Sequence, residues 1–356
     1  MKKRVLSLLL AVVCILSLVS CGQNEPAVST VALETRSYTD ACGREVELPA
    51  EITRIVPSGA LPQIILFAIA PDLFVGLADE WNAGAAEYID EAYLNLPCFG
   101  QLYSSADLNV EELARQNPQL IIDIGTPKAS VSEDLDTLQT QTNIPAVFVS
   151  SSLETMPDTY RTLGALLGRE EVGEELASFC EKTYARTCSI MEQVGDHKVR
   201  ALYITGEEGL NVIANGSYHA ELVDLLTDNA ALVENPASRG TGNEVSMEQL
   251  LLWDPEFIIF SPESVYAKAG EDPTWSQLSA IAAGSYVESP ESPHNWMGMP
   301  PSVQRYLSLI WLPAVLYPEY CDYDVKSEIF EFYRLFYHCE LTEEQYADLM
   351  KNAFLR

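Results

Sequence analysis

The chain has 356 residues, of which 47% are hydrophobic and 21% charged, and 52 acidic against 21 basic side chains give a formal net charge of −31. Such a length and balance describe a globular protein with room for two domains. So large an acidic excess, without a basic stripe, argues against a nucleic-acid partner and favours a partner that presents cations.

At the N-terminus Lys2-Lys3-Arg4 precedes an apolar run from Val5 to Val19, too short to span a bilayer and suited to a signal peptide. Gln23 to Arg36 is polar and aperiodic, a flexible tether. Tyr38 to Pro49 alternates around Gly43 and predicts a β-hairpin. Arg54-Ile55-Val56-Pro57 is a first buried strand. It runs into Ser58-Gly59-Ala60 and an apolar helix from Pro62 to Ala70, a βα unit with free N–H groups at its turn. Phe74 to Leu77 predicts a further strand, with Trp81 just beyond its end. Val131 to Thr142 predicts a helix and Ala146 to Val149 a strand that closes the first half.

A long helix is predicted over Glu170–Val194. Val172, Leu176, Phe179, Cys180, Thr183, Tyr184, Thr187, Ile190, Met191 and Val194 recur at steps of three and four, so they share one face. Its length is about 37 Å, and Gly195-Asp196 stops it. Beyond it come a strand at Arg200 to Thr205 and a turn at Asn215 to Tyr218 leading into a helix. A helix from Trp275 to Ala282, a strand at Ser285 to Glu288, a helix running to Leu316 and a capping box at Thr342 to Gln345 follow.

The sequence on the two sides of the long helix says the same thing twice. Asn109-Val110-Glu111-Glu112-Leu113 followed by Asn117-Pro118-Gln119-Leu120-Ile121-Ile122 matches Ser246-Met247-Glu248-Gln249-Leu250 followed by Asp254-Pro255-Glu256-Phe257-Ile258-Ile259. Each copy predicts a capped short helix, a break enforced by proline and a buried strand. The expected fold class is therefore α/β, with two Rossmann-like lobes joined by one long interdomain helix and a ligand cleft between them. The expected divisions are 1–21 signal, 22–37 tether, 38–152 first lobe, 153–197 helical linker and 198–356 second lobe.

Several of these stretches carry a resemblance. Leu18-Val19-Ser20-Cys21-Gly22 resembles the bacterial lipobox, which implies cleavage before Cys21, lipidation of its sulfur and a membrane anchor on the extracytoplasmic face. Asp40-x-x-Gly43-Arg44-x-Val46-x-Leu48-Pro49, Arg54-Ile55-Val56 and the two Glu-x-Leu units follow in order. Together they resemble the substrate-binding lipoproteins of ABC importers that capture ferric siderophores, haem or cobalamin. The resemblance implies two lobes on one long helix with small hinge motion, and a permease with its ATPase as partners. It also implies docking through one acidic residue per lobe, here Glu111 and Glu248. Pro300 to Arg305, leading to Trp311-Leu312 and Leu316 to Glu319, resembles the iron-complex branch of that family.

Ligands of α/β lobes sit at the C-terminal ends of strands, which nominates Ser58, Trp81, Tyr103, Thr126, Glu207, Tyr218, Arg239, Ser261, His294 and Trp296. Trp81 and Trp296 would stack on a flat ligand, and Arg239 would pair with an anionic group. His294 and Met297 are candidates for an axial bond to haem iron or cobalt. The four histidines are scattered, so a bare-metal site is not expected, nor is a resident cofactor. The expected cargo is a ferric chelate, with haem or a corrinoid as alternatives. An exported hydrolase is the competing class, but no Gly-x-Ser-x-Gly or His-Glu-x-x-His motif supports it; a sensing lipoprotein would read the same. Six cysteines outside the N-terminal segment permit fifteen disulfide pairings, Cys321 with Cys339 being favoured, while Cys180 and Cys188 are too far apart along one helix.

Overall fold

The structure, a computed structural model, describes residues 34–101 and 108–355. The signal segment, Cys21 and Tyr103 lie outside them. Thr35–Arg356 is one compact unit.

It opens with the hairpin β1 (Thr35–Thr39) and β2 (Glu45–Pro49). The strand therefore begins inside the stretch expected to be tether, because Thr35 to Ser37 find partners in Glu47 to Pro49. Asp40 explains the motif at the turn. Its buried carboxylate accepts from the N–H groups of Cys42 and Arg44 at 2.9 Å and from the Arg44 guanidinium at 2.9 Å. Arg44 also donates to the Ala146 carbonyl, and Gly43 takes the φ of +78° that a side chain would resist. The hairpin is thereby fixed to the first sheet.

That sheet is parallel, in the order β3 (Ile55–Pro57), β4 (Leu120–Gly125), β5 (Ala146–Ser150). Helices α1 (Ala60–Ile69), α2 (Val110–Arg115), α3 (Val131–Thr142) and α4 (Met156–Leu167) accompany it. Phe74 to Leu77 does not form a strand. It makes only isolated bridges, Phe74 to Ile55 and Leu77 to Cys98.

Helix α5 runs Glu170–Val194, as the spacing predicts. Glu170 and Glu171 place negative charge at its N-terminus, and Gly195 at φ +56° donates to the Met191 carbonyl to end it. One predicted face residue fails: Val172 is 36% exposed. Gly173 is buried instead, because α4 and α5 approach so closely there that only glycine fits.

The second sheet has six strands, ordered β11 (Tyr286–Glu288), β10 (Phe257–Phe260), β6 (Arg200–Thr205), β7 (Asn211–Val212), β9 (Asn243–Glu244), with β8 (Asp228–Asn229) also on β6. Its larger helices are α6 (Glu221–Leu226), α7 (Met247–Trp253) and α8 (Arg305–Leu316). The expected Trp275–Ala282 helix is split at Leu278, whose extended backbone separates a 3-10 turn from an α-turn.

The repeat is physical. Asn109 and Ser246 cap α2 and α7 by accepting from the N–H groups of Glu112 and Gln249. Asn117 and Asp254 take φ of +47° and +37° before their prolines, and each chain then enters a buried strand.

Alternation along those strands divides the core. Ile121 and Ile258 face separate outer clusters, while Ile122 and Ile259 face one inner layer that also takes Leu176, Phe179 and Ile190 of α5. Two further helices, α9 (Val325–Phe336) and α10 (Glu343–Leu349), complete this layer. Expected within the second lobe, they return to the first: His338 Nε2 lies 3.2 Å from the Phe67 carbonyl, and Gln345 donates to the Glu87 carbonyl at 2.7 Å. The aromatic face of α9, with Phe332 stacked on Phe336, draws them there.

Cys42, Cys98, Cys180, Cys188, Cys321 and Cys339 are all free thiols, so the favoured Cys321–Cys339 bridge is not formed. Among the described residues no helix is long and apolar enough to cross a membrane.

Candidate functional site

Where β3 and β4 end, the chain opens a cavity of about 190 Å³. Ser58, Gly59, Ala60, Leu61 and Pro62 bring the N-terminus of α1 to it; Asp123, Ile124, Gly125, Thr126 and Lys128 come from the end of β4. Tyr218 and Pro300 reach it from the other lobe. Three expected ligand residues, Ser58, Thr126 and Tyr218, thus meet in one place.

The floor is polar and ordered. Ser58 Oγ donates to Asp123 Oδ1 at 2.5 Å, both residues being buried, and Gln101 Oε1 accepts from the Ala60 N–H at 3.2 Å. No acidic side chain occupies the first turn of α1, and the carboxylate in the lining, Asp123, is engaged by Ser58. Burial raises the Tyr218 phenol pKa, while Arg305 and a hydrogen bond with Thr126 of the opposite lobe pull it back. Arg305, only 4% exposed, is itself held by Glu221 at 2.5 Å, and Glu221 accepts from the Leu153 N–H at 3.3 Å. This network ties the chain just after β5 to α6 and α8.

Asp123, Lys128 and Gln101 escaped the sequence reading. The signal for Asp123 was available: a carboxylate inside the apolar run Ile121-Ile122-Asp123-Ile124 is rarely there without a partner or a task. His219 was also missed. Its Nδ1 lies 3.4 Å from the Gly298 carbonyl, and burial, first of all, lowers its pKa. A methyl group on Gly240 would meet Met299 Cε at 3.3 Å and His219 Cε1 at 3.6 Å, so this loop lies against both.

The other candidates are not in this cavity. Trp296 is fully buried and packs edge-on against Trp311 at 6.4 Å, which removes it from stacking on a ligand. Met297 is buried with its sulfur on the Ser308 hydroxyl, so it presents no axial bond. Arg239 is exposed and closes its own turn by donating to the Gly242 carbonyl at 3.1 Å. Ser261 is buried and Glu207 exposed, neither lining the cavity.

Trp81 and His294 meet each other, with ring centroids 5.6 Å apart, and Asn82 donates to the Pro293 carbonyl beside them. They form a contact with each other outside the cavity to which stacking and metal-binding roles were expected to bring them. Burial lowers the His294 pKa to about 4, and its Nε2 has no hydrogen-bond partner among the described residues. An unfolded histidine titrates near 6.5, so between these values only the unfolded chain takes up the proton. The stabilisation is full above about pH 6.5 and lost as the pH falls through about 4, amounting to about 3 kcal/mol. Thermal melts at about pH 7.5 and about pH 4.5 should show a smaller acid-induced loss for His294→Gln than for the wild type. Equal losses would contradict the assignment.

A second cavity, of about 280 Å³, lies between Tyr88, Glu288 to Ser292 and Asp348 to Asn352. Burial raises the Glu291 pKa, with Glu263 and Glu288 adding to it. It lacks the opposed strand ends and helix N-terminus of the first.

Two lobes, each presenting strand ends to a shared cleft and held on one long helix, define a solute-binding protein. A family model described as periplasmic binding protein matches residues 100–293, and the chain belongs to that family. An ABC transporter solute binding protein from Sulfurospirillum deleyianum is 25% identical, with a TM-score of 0.78 over 89% of this chain and 99% of its own. The molybdate periplasmic binding protein MolA of Haemophilus influenzae, bound to molybdate, is 19% identical, with a TM-score of 0.68 over 86% and 99%. The catecholate-siderophore binding protein VctP of Vibrio cholerae is 19% identical, with a TM-score of 0.54 over 72% and 91%. No curated protein matches the chain. Proteins of this kind work outside the cytoplasm and deliver small molecules to a membrane permease.

Proposed function

We propose that the protein captures an anionic metal chelate of the ferric-siderophore type in the interlobe cleft and passes it to an ABC permease and its ATPase. The observation that carries this reading is the cavity lining: Ser58 and the α1 N-terminus on one wall, Tyr218 on the other, and Lys128 at the rim. Helix N-termini and lysine favour negative charge, and hydroxyls supply directional donors. In the same fold, MolA carries molybdate and VctP a catecholate siderophore.

On this reading Glu111 and Glu248, both exposed in the first turns of α2 and α7, dock on basic groups of the permease. Cys21 carries the lipid that holds the protein at the membrane.

Gly59 offers a clean test. Its φ is −169°, extended backbone open to any residue, and beyond its chain neighbours an added Cβ would come no closer than 3.5 Å to another atom. Gly59→Trp should fold normally and fill the cavity. Calorimetric titration with ferric catecholates, ferric hydroxamates, haemin and cobalamin should give binding by a ferric chelate to the wild type, weakened at least about a hundredfold in the variant. Undiminished binding by Gly59→Trp, or no binding of any class to the wild type, would overturn the proposal.

A further inference from the structure

The two docking helices are copies whose surroundings differ. Glu111 and Glu248 occupy the same slot, one residue inside helices capped alike. Four residues on, the copies diverge. Arg115 follows Glu111 and is paired with Glu112, whereas Leu252 follows Glu248 and is 78% exposed. Leu252 is the most exposed large hydrophobic residue among those described, while Leu250 and Trp253 of the same helix are buried. A spacing of four places Leu252 over Glu248 on one helix face.

We propose that Leu252 is an apolar anchor for the permease. It enters an apolar pocket beside the basic group that takes Glu248, while the corner at Glu111, Glu112 and Arg115 is held by charge. The inference rests on the docking reading above and names what that surface requires of its partner. Exposed charge pairs steer an encounter but contribute little once formed, and salt screens them. A leucine that becomes desolvated in a contact adds affinity that salt does not remove. The net charge of −31 already supplies attraction to a cationic surface, so the unlike corners supply register.

The test is stimulation of ATP hydrolysis by the permease–ATPase complex of the same organism, reconstituted in lipid nanodiscs and titrated with purified protein at low and high salt. Leu252→Ser should raise the half-saturating concentration about tenfold or more at both salt levels. Its solute affinity and melting temperature should match the wild type. Leu232→Ser, at a residue 67% exposed and outside both docking helices in sequence, should have no effect. Wild-type stimulation by Leu252→Ser, with loss in Glu248→Ala, would overturn this inference and leave docking intact. Wild-type stimulation by both Leu252→Ser and Glu248→Ala would remove the docking role and the anchor with it. An equal loss in Leu232→Ser would show general surface stickiness and overturn the anchor alone.

Discussion

Replacing Glu111 and Glu248 together by alanine is expected to abolish uptake by whole cells, a loss of about a hundredfold or more, while solute affinity stays within about twofold. Neither side chain lines the cleft cavity, and both are exposed. The folded state should barely register the change, because each is one exposed acid in a first turn, and the caps are supplied by Asn109 and Ser246. On the proposed docking, what disappears is the pair of negative corners that would align the protein on a two-fold partner. Uptake of radiolabelled iron, offered as the chelate selected by calorimetry, measures the first quantity, and calorimetry of the purified variant measures the second. Normal uptake by the double variant would remove these residues from docking.

Gly173→Leu is expected to cost about 3 kcal/mol or more, roughly 4–5 °C or more in melting temperature for a unit of this size. A Cβ at this position would lie 2.7 Å from the Tyr160 carbonyl oxygen and 3.1 Å from Gly164 Cα. Both are backbone atoms and cannot swing aside, so α4 and α5 would have to part. They are held close by a short connection, Gly168 at φ +66° and Arg169, and Gly164 is nearly as confined. Val172→Ala, at the neighbouring half-turned position, should change stability by no more than about 0.5 kcal/mol. Thermal melts of the two variants decide the matter. A Gly173→Leu protein as stable as the wild type would mean that the two helices do not touch there.

Much of the scaffold was legible because it is written locally. The bounds of α5 follow from apolar spacing and from Gly195, and the duplicated cap, proline and strand could be read in both copies. That Ser58, Thr126 and Tyr218 share one cavity was legible because strand ends meet clefts in α/β lobes. The rest depends on contacts distant in sequence. Nothing in Glu170-Glu171-Val172-Gly173 announces that the third residue faces water and the fourth a partner backbone. Trp296 in a Pro-rich loop reads as a rim aromatic until Trp311 is brought beside it. Helices α9 and α10 follow the second lobe in the chain, yet their aromatic face is satisfied by the first. Asp123 is the one miss with a local signal.

The central claim is that the cleft beside Ser58 and Tyr218 holds a metal-bearing anionic solute. Native mass spectrometry of the protein purified from its own cells, wild type beside Gly59→Trp, tests it most directly. The account predicts one adduct on the wild type whose mass and isotope pattern identify a metal chelate, absent from the variant. A metal-free adduct, or one retained equally by Gly59→Trp, would contradict it.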